Sequence, residues 1–312
     1  MKKVRLLLNI VFLIFFISLI INTEINWKLI FEINFSLFLF IFCLKIISLI
    51  LNAIFNKILL EAYDVDLNYY DAFYIATIAF LGNFYLPAKT GGALRLLYLS
   101  KNFNMKSDQL VSSNILFFTV GMFLNSTISI FWLFINKKQI EEYFLFSVII
   151  FSLISILCFT LLNVRFKVHK KIMVKSNKFS VMIVEYINSL KESWNIFFSD
   201  KGRMNKLMLV YILIYSVFLL EIFIILQSLD LFINISSVGL YNSVSGFAHL
   251  IGITPSNLGV KESLLILFNN LILIDTNNLL NVSILERLIT VVYTIIPLIF
   301  IFWLNRSSKL NN

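Results

Sequence analysis

The sequence predicts an all-α polytopic membrane protein, a single transmembrane domain over residues 1–312 with about six full spans plus two re-entrant helical hairpins arranged as an inverted repeat. Apolar stretches of about 20 residues recur along the chain, and Lys and Arg collect in alternate loops. Hydrophobic residues make up 59% of the chain and charged residues 14%, whereas an average soluble domain carries about 25% charged residues. With 33 Phe and a mean hydropathy of +0.89, this composition excludes a soluble enzyme, a nucleic-acid binder and a disordered chain.

Six apolar stretches are long enough to cross a bilayer as helices, which takes about 20 mostly apolar residues. The first stretch follows Lys2, Lys3 and Arg5 and has no small-residue cleavage site, which indicates a retained signal-anchor helix. The six stretches cover residues 5–22, 35–56, 110–135, 143–164, 207–229 and 284–304.

Two further apolar windows, residues 72–100 and 238–274, are interrupted near the middle by proline, glycine and charged residues. Together they hold seven of the nine glycines and two of the three prolines. Helix breakers at membrane depth are tolerated where the backbone is buried in protein or lines a wet cavity. We therefore predict a re-entrant hairpin in each window, with its break at Pro87–Arg95 in the first and at Pro255–Glu262 in the second.

The distribution of Lys and Arg predicts the topology. With the N-terminus inside and both windows re-entrant, twenty of the 26 Lys and Arg fall in inside segments and three in outside loops. Cytoplasmic loops collect these residues, so a multi-pass protein of the cytoplasmic (inner) membrane with both termini cytoplasmic is expected. The basic cytoplasmic loop, residues 165–206, has an apolar pattern at Val181, Val184, Ile187 and Trp194. It predicts either a helix on the inner leaflet, held by anionic lipids, or a plain topogenic loop.

The two windows occupy equivalent places in two units. Repeat one, about residues 35–135, carries a span, a hairpin entering from the cytoplasm and a second span. Repeat two, about residues 207–304, carries the same order with its hairpin entering from outside. Such inverted repeats bring broken helices together near the midplane in transporters. We predict that the hairpins meet inside the membrane, with Arg95 and Glu262 on the walls of one polar cavity.

The broken windows also carry motifs of a known family. The segment Asn83–Lys101, with its Leu-Pro and Gly-Gly pairs and an arginine, resembles the first signature of the lysylphosphatidylglycerol synthase transmembrane region (flippase-like integral membrane protein) family. Thr254–Glu262 is similar to the second signature, a Pro-x-x-x-Gly-x-x-Glu pattern, and Glu286-Arg287-Leu288 resembles the arginine that follows it. The resemblance spans about residues 5 to 305.

The resemblance implies a function in lipid translocation. The family includes the membrane half of bifunctional enzymes that attach lysine to phosphatidylglycerol and flip the product, and stand-alone relatives are associated with assembly of lipid-linked glycans. Because the chain ends at Asn312, we expect the translocation half without the aminoacyl-transferase domain, and no catalytic residue, metal or cofactor. Many members carry an acidic residue after the glycine pair, where this chain has Ala93.

Ionisable residues and helix breakers in the membrane segments are the candidate binding residues. Arginine binds phosphate bidentately, Arg95 and Tyr98 are neighbours on one helix face, and a helix starting after Gly91-Gly92 would direct backbone N–H groups at an anion. Positive-inside charge and helix capping are the structural alternatives. The candidate substrate-binding residues are Asn83, Lys89, Gly91, Gly92, Arg95, Tyr98, Glu221, Asn257, Gly259, Lys261, Glu262 and Arg287.

Three other features predict less specific roles. Asp64-Val65-Asp66 resembles the carboxylate pair of glycosyltransferases but lies in a generally acidic loop. Lys45, deep in its span, either faces a partner or snorkels toward a surface. His249 stands in an apolar stretch without a second metal ligand at suitable spacing, which favours packing.

The leading hypothesis is a lipid translocase for an anionic or phosphate-bearing lipid, such as an aminoacylated phospholipid or a lipid-linked glycan. Two alternatives stay open: a membrane-embedded glycosyl- or acyltransferase, and a non-transporting subunit of an envelope-assembly complex. The expected partners are a membrane lipid substrate, anionic inner-leaflet lipids at residues 165–206, and either a second copy of the chain or an envelope-biosynthesis protein. Nucleic acid is not expected.

Overall fold

The structure is a computed structural model, described over residues 34–86, 89–163, 178–198, 200–231, 233–251 and 254–301. The first sequence-predicted span, residues 5–22, and both termini lie outside these ranges. Within them the chain forms eleven α-helices and no strand, and five helices are long and apolar enough to cross a membrane. The prediction of an all-α polytopic membrane protein is confirmed.

The helices are named α1 to α11 in chain order. The five candidate spans are α1 (Phe35–Glu61), α4 (Ser107–Ile135), α5 (Glu141–Asn163), α7 (Lys201–Ser228) and α11 (Thr276–Tyr293), the last with helical backbone continuing to Ile301. The other helices are α2 (Tyr69–Tyr85), α3 (Thr90–Phe103), α6 (Lys178–Phe197), α8 (Ile235–Ile251), α9 (Val260–Leu267) and α10 (Asn269–Ile272), with a 3₁₀ turn at Pro255–Asn257.

Two spans begin earlier than the sequence predicts. Helix α7 begins at Lys201, where the Asp200 side chain caps it by accepting the Gly202 N–H at 2.8 Å, although the apolar stretch starts at residue 207. Helix α11 begins at Thr276 rather than 284. Its second turn is buried against protein, as the 7% exposure of Asn281 illustrates, whereas Asn277 in the first turn is exposed.

Each broken window folds as helix, break and helix. In the first window α2 and α3 pack against each other, and a Cβ on Gly82 would lie 2.6 Å from the Gly91 Cα. A Cβ on Gly91 would lie 1.9 Å from the Ala79 carbonyl oxygen. These two glycines therefore allow the backbones of α2 and α3 to approach closely. The re-entrant path and the inverted orientation of the two units stay predictions.

Helix α8 lies at the centre of the bundle. It packs against α4, α7 and α9, and residues 236–245 are all buried. Its sequence is rich in Ser and Gly, which lets neighbouring helices approach and bond across. The Asn125 Nδ2 of α4 donates to the Ser243 carbonyl at 2.9 Å, and Tyr215 of α7 donates to the Gly239 carbonyl at 3.0 Å. The two units are thereby joined through α8.

The basic loop contains a helix that packs on the protein. Helix α6 lies against α4, where the Ser193 hydroxyl donates to Asp108 Oδ2 at 2.8 Å. Trp194 and Phe197 are buried in the core, whereas Ile187 on the same helix is 43% exposed, so the helix packs on the protein at its C-terminal end. Residues 165–177 lie outside the described ranges, and lipid binding by the loop stays a prediction.

Candidate functional site

The first break is followed by a buried arginine without a counter-ion. Arg95 lies in the second turn of α3 and is 3% exposed. Its Nη1 donates a long hydrogen bond of 3.4 Å to Asn114 Oδ1 on α4, and its guanidinium carbon lies 6.0 Å from the centre of the Phe117 ring. Its Nε and Nη2 have no hydrogen-bond partner, and no carboxylate among the described residues forms an ion pair with it.

The nearest titratable neighbour of Arg95 does not compensate this charge. Tyr63, in the loop after α1, is 5% exposed and donates to Ser112 Oγ at 3.0 Å. Burial raises the pKa of Tyr63 to about 12, so its hydroxyl stays neutral at physiological pH. An isolated charge in a low-dielectric interior is costly. The charge of Arg95 is therefore uncompensated, and a bound anion would stabilise it.

The amides at the start of α3 already have protein partners. Asn83 Oδ1 accepts the Gly91 N–H at 3.1 Å, and the Gly92 N–H donates to the Lys89 carbonyl at 3.0 Å. Helix α3 thus starts at Thr90, before rather than after the glycine pair, and the N–H groups of Gly91 and Gly92 are already used within the protein. Gly92 contributes differently: a Cβ built on it would have no heavy atom within 4 Å. This open space, called the Gly92 notch, lies one turn before Arg95 on the same helix face.

Lys89 and Tyr98 contact different residues from those that Arg95 contacts. The Lys89 ammonium lies 3.9 Å from the centre of the Phe118 ring, a cation–π contact. The Tyr98 hydroxyl donates to Asp71 Oδ1 on α2 at 2.9 Å. Arg95 and Tyr98 lie three positions apart on one helix face but contact different neighbours, and a joint role in binding stays a prediction. Arg95 reaches α4, and Tyr98 reaches α2.

The second break has an irregular backbone held by side chains. Ser256 and Asn257 in the Pro255–Asn257 turn have positive φ values of 50° and 53°, and Gly259 has a φ of 79°. Glycine adopts such angles freely, asparagine adopts them at small cost, and serine adopts them under strain. Asn257 Nδ2 and His249 Nδ1 are hydrogen-bonded at 2.8 Å. His249 thus bonds across the break instead of only packing.

Glu262 and Arg287 fasten this break to α11. Glu262 is fully buried and accepts hydrogen bonds from the Gly259 N–H at 2.8 Å, from Ser283 Oγ at 2.6 Å and from Arg287 Nη2 at 2.7 Å. Arg287 Nη1 also donates to the Ser256 carbonyl at 2.9 Å. Both residues therefore have complete sets of protein partners, and their arrangement indicates a structural clamp.

Two more ion pairs join helices at this end of the molecule. Lys261 on α9 pairs with Glu286 on α11, and the Lys45 ammonium on α1 lies 2.5 Å from Glu221 Oε1 on α7. The neutral cluster, which these two pairs form with Glu262–Arg287, contains three cations and three anions. Lys45 faces a partner, which decides between the two roles that the sequence left open.

The two broken regions meet, but their charges do not. Helix α2 packs against the Pro255–Asn257 turn, and the Tyr85 hydroxyl lies 2.7 Å from Thr294 Oγ1. Arg95 bonds to α4, whereas Glu262 bonds to α11, and the two share no partner among the described residues. Each charge is thus held by the span that follows its own hairpin, and a single cavity walled by both charges stays a prediction.

Sequence reasoning missed three partners of the site residues, namely Asn114, Ser283 and Glu286. Each is a polar residue within a helix whose average hydropathy is high, so a window average conceals it. Single polar residues inside spans usually bond to other helices, and that signal was present. The Asp64-Val65-Asp66 pair, in contrast, lies at the surface, where the 96% exposed side chain of Asp66 pairs with Lys57 at 3.3 Å.

A comparison with known protein families identifies a matching family. The family model described as Lysylphosphatidylglycerol synthase TM region matches residues 5–297. The match includes both broken windows and every candidate binding residue predicted from the sequence. No curated protein matches the sequence.

Proposed function

We propose, on the premise that this chain belongs to the lysylphosphatidylglycerol synthase TM region family, that it is a lipid translocase of the cytoplasmic membrane. The family membership makes the chain a multi-pass membrane protein of lipid metabolism or translocation. The proposal goes further: the protein moves an anionic or phosphate-bearing lipid from one leaflet to the other. An aminoacylated phospholipid and a lipid-linked glycan are the cargo classes that it favours.

The uncompensated charge of Arg95 carries this proposal. Two of its three guanidinium nitrogens, Nε and Nη2, have no partner, and the third makes one long bond. A guanidinium offers parallel N–H donors whose spacing fits two oxygens of a phosphate. Leaving buried donors unmade costs about 1–3 kcal/mol for each neutral group and more for a charged one. A phosphate oxygen pair would supply both the charge and the acceptors that Arg95 lacks.

The position of Arg95 suits a headgroup drawn below the membrane surface. Its partner Asn114 comes seven residues after Ser107, the first residue of α4, which is about 10 Å along the helix axis. The Gly92 notch lies beside Arg95 on α3, and Leu97 on the same helix is 67% exposed. In this proposal a headgroup reaches Arg95 past Gly92, and its acyl chains lie against the apolar exterior of α3 on the side of Leu97.

The neutral cluster supports different functions for the two breaks. Its three cations are each paired with a carboxylate, so it offers no free charge to a single anion. Arg95 is the one buried cation in the described part of the chain that lacks such a pair. In this proposal the first break binds the headgroup, and the second break keeps the bundle in register.

A leaflet assay on reconstituted vesicles tests the proposal. Purified protein is placed in vesicles that contain fluorescent phosphatidylglycerol, and an impermeant quencher reports the fraction in the outer leaflet. We expect the protein to make the inner-leaflet pool accessible, with the lipid recovered chemically unchanged and phosphatidylcholine moved more slowly. A covalently modified lipid would identify an enzyme instead. Absence of movement with a correctly folded protein would favour a non-transporting subunit.

A further inference from the structure

We infer that Glu221 is a proton-binding site that couples lipid movement to the movement of H⁺. The inference rests on the proposed function, and it adds the ion that would drive it. Glu221 is one of the three carboxylates of the neutral cluster, and the proposed cargo is an anion.

The three carboxylates of the neutral cluster differ in how well they are stabilised as anions. Glu262 accepts hydrogen bonds from a backbone amide, a serine and an arginine, and Glu286 accepts one from Lys261. Glu221 is fully buried, with the Lys45 ammonium 2.5 Å from Oε1 as its one polar partner among the described residues, whereas the Glu286 side chain is 15% exposed. Hydrogen bonds hold a carboxylate in its charged form. Protonation therefore costs least at Glu221.

The charged neighbours of Glu221 act in both directions. Helix α1 contributes Lys45 and α9 contributes Lys261, both of which favour the anion, while the carboxylate of Glu286 on α11 disfavours it. Tyr293 of α11 also lies in electrostatic range. The other titratable side chains on the helices that pack against α7 are Cys43, Lys57 and Glu61 on α1, Asp108 on α4, Tyr241 and His249 on α8, and Arg287 on α11.

Buried hydroxyl groups lie close to this cluster. The hydroxyls of Tyr241, Ser245 and Tyr293 are buried. Tyr241 and Ser245 are four residues apart on α8 and so lie on one face, and the Lys261 ammonium lies 5.3 Å from the centre of the Tyr241 ring. Hydroxyl groups both donate and accept hydrogen bonds, so such groups suit a carboxylate that changes its protonation state.

The proton would balance the negative charge of the lipid headgroup. When H⁺ from water adds to one oxygen of Glu221, the carboxylate becomes a neutral acid, and no other bond is broken. The cluster, with three cations and three anions, then carries one net positive charge. A monoanionic headgroup crossing a low-dielectric interior is costly on its own. Moving together with one proton, it transfers no net charge.

Two measurements test the inference independently of each other. Infrared difference spectra of the purified protein in lipid, taken between acidic and neutral pH, should contain a protonated carboxyl band that disappears in Glu221→Gln. The band should persist in Glu142→Gln, which changes an exposed carboxylate on α5. A band unaffected by Glu221→Gln would overturn the inference, whether or not the protein moves lipid.

The second measurement uses the leaflet assay with a pH gradient. With one proton moved per lipid, each pH unit should shift the leaflet ratio of phosphatidylglycerol about tenfold, since one pH unit corresponds to a factor of ten in an equilibrium constant. Glu221→Gln should move lipid to a ratio near one at any gradient. If this variant does not fold, Lys45→Met with Glu221→Gln removes both charges and is expected to behave alike. Lipid movement by the native protein that ignores the gradient would overturn the proton site, whereas no movement at all would overturn the proposed function.

Discussion

Replacing Arg95 with methionine is expected to abolish the movement of anionic lipid while leaving the fold at least as stable as before. The loss should be about 100-fold or more, because two charge-assisted hydrogen bonds to the headgroup, each worth about 1.5–3 kcal/mol, disappear. Arg95 is 3% exposed and has no carboxylate partner among the described residues. Replacing buried charges with apolar side chains is often neutral or stabilises by about 1–4 kcal/mol. The leaflet assay measures the rate of lipid movement, and thermal unfolding in detergent measures the stability.

Two variants on the same helix serve as controls for Arg95. Arg95→Lys should restore part of the activity, since an ammonium supplies charge but not the bidentate geometry. Lys101→Met removes an exposed cation near the end of α3 and should leave both activity and stability unchanged. Full activity of Arg95→Met would refute a headgroup-binding role. A large loss of stability in that variant would show instead that the arginine is structural.

Replacing Arg287 with methionine is expected to have the opposite effect on the fold. The Glu262 carboxylate is fully buried and accepts bonds from Arg287 Nε at 3.0 Å and Nη2 at 2.7 Å. Removing one partner of a buried ion pair typically costs about 3–5 kcal/mol, because the remaining charge is left uncompensated. The variant should therefore unfold at a clearly lower temperature, as followed by circular dichroism.

A second substitution separates the clamp from a binding role for Arg287. The double variant Glu262→Gln, Arg287→Met has no buried charge at this point and should recover part of the lost stability. As a control, Lys57→Met breaks the exposed pair with Asp66, which is worth about 0–1 kcal/mol, so it should change little. An Arg287→Met protein that is inactive but as stable as the native protein would contradict the clamp and assign Arg287 to substrate binding.

The sequence predicted the layout of the fold because its signals are local. Each window is divided into two helices near the predicted position, but the breaks are shorter than predicted, because α3 already begins at Thr90 and α9 at Val260. Helix ends were predicted less well, since caps such as Asp200 lie outside the apolar stretches. The packing of Trp194 against α4 was not predicted, because a basic amphipathic segment has the same pattern whether it covers lipid or protein.

The functional residues were predicted one by one, but their pairing was not. Lys45 and Glu221 lie far apart in the sequence, and only the packing of α1 on α7 brings them together. The dipeptides Lys261-Glu262 and Glu286-Arg287 form two pairs that are each 25 residues apart. Their complementary charges were a signal of that pairing. The isolation of Arg95 had no such signal, since it follows from what its neighbours in space lack.

Photo-crosslinking with an anionic lipid tests most directly whether Arg95 receives the headgroup. A phosphatidylglycerol that carries a photoactivatable group next to its phosphate is irradiated with the native protein in membranes, and the labelled peptides are mapped. We predict adducts on Asn114 and Phe117 of α4, which surround Arg95. These adducts should be lost in Arg95→Met and kept in Lys101→Met. Labels confined to the exposed face of α5, where Leu145 and Leu153 are 70% and 62% exposed, or unchanged in Arg95→Met, would contradict it.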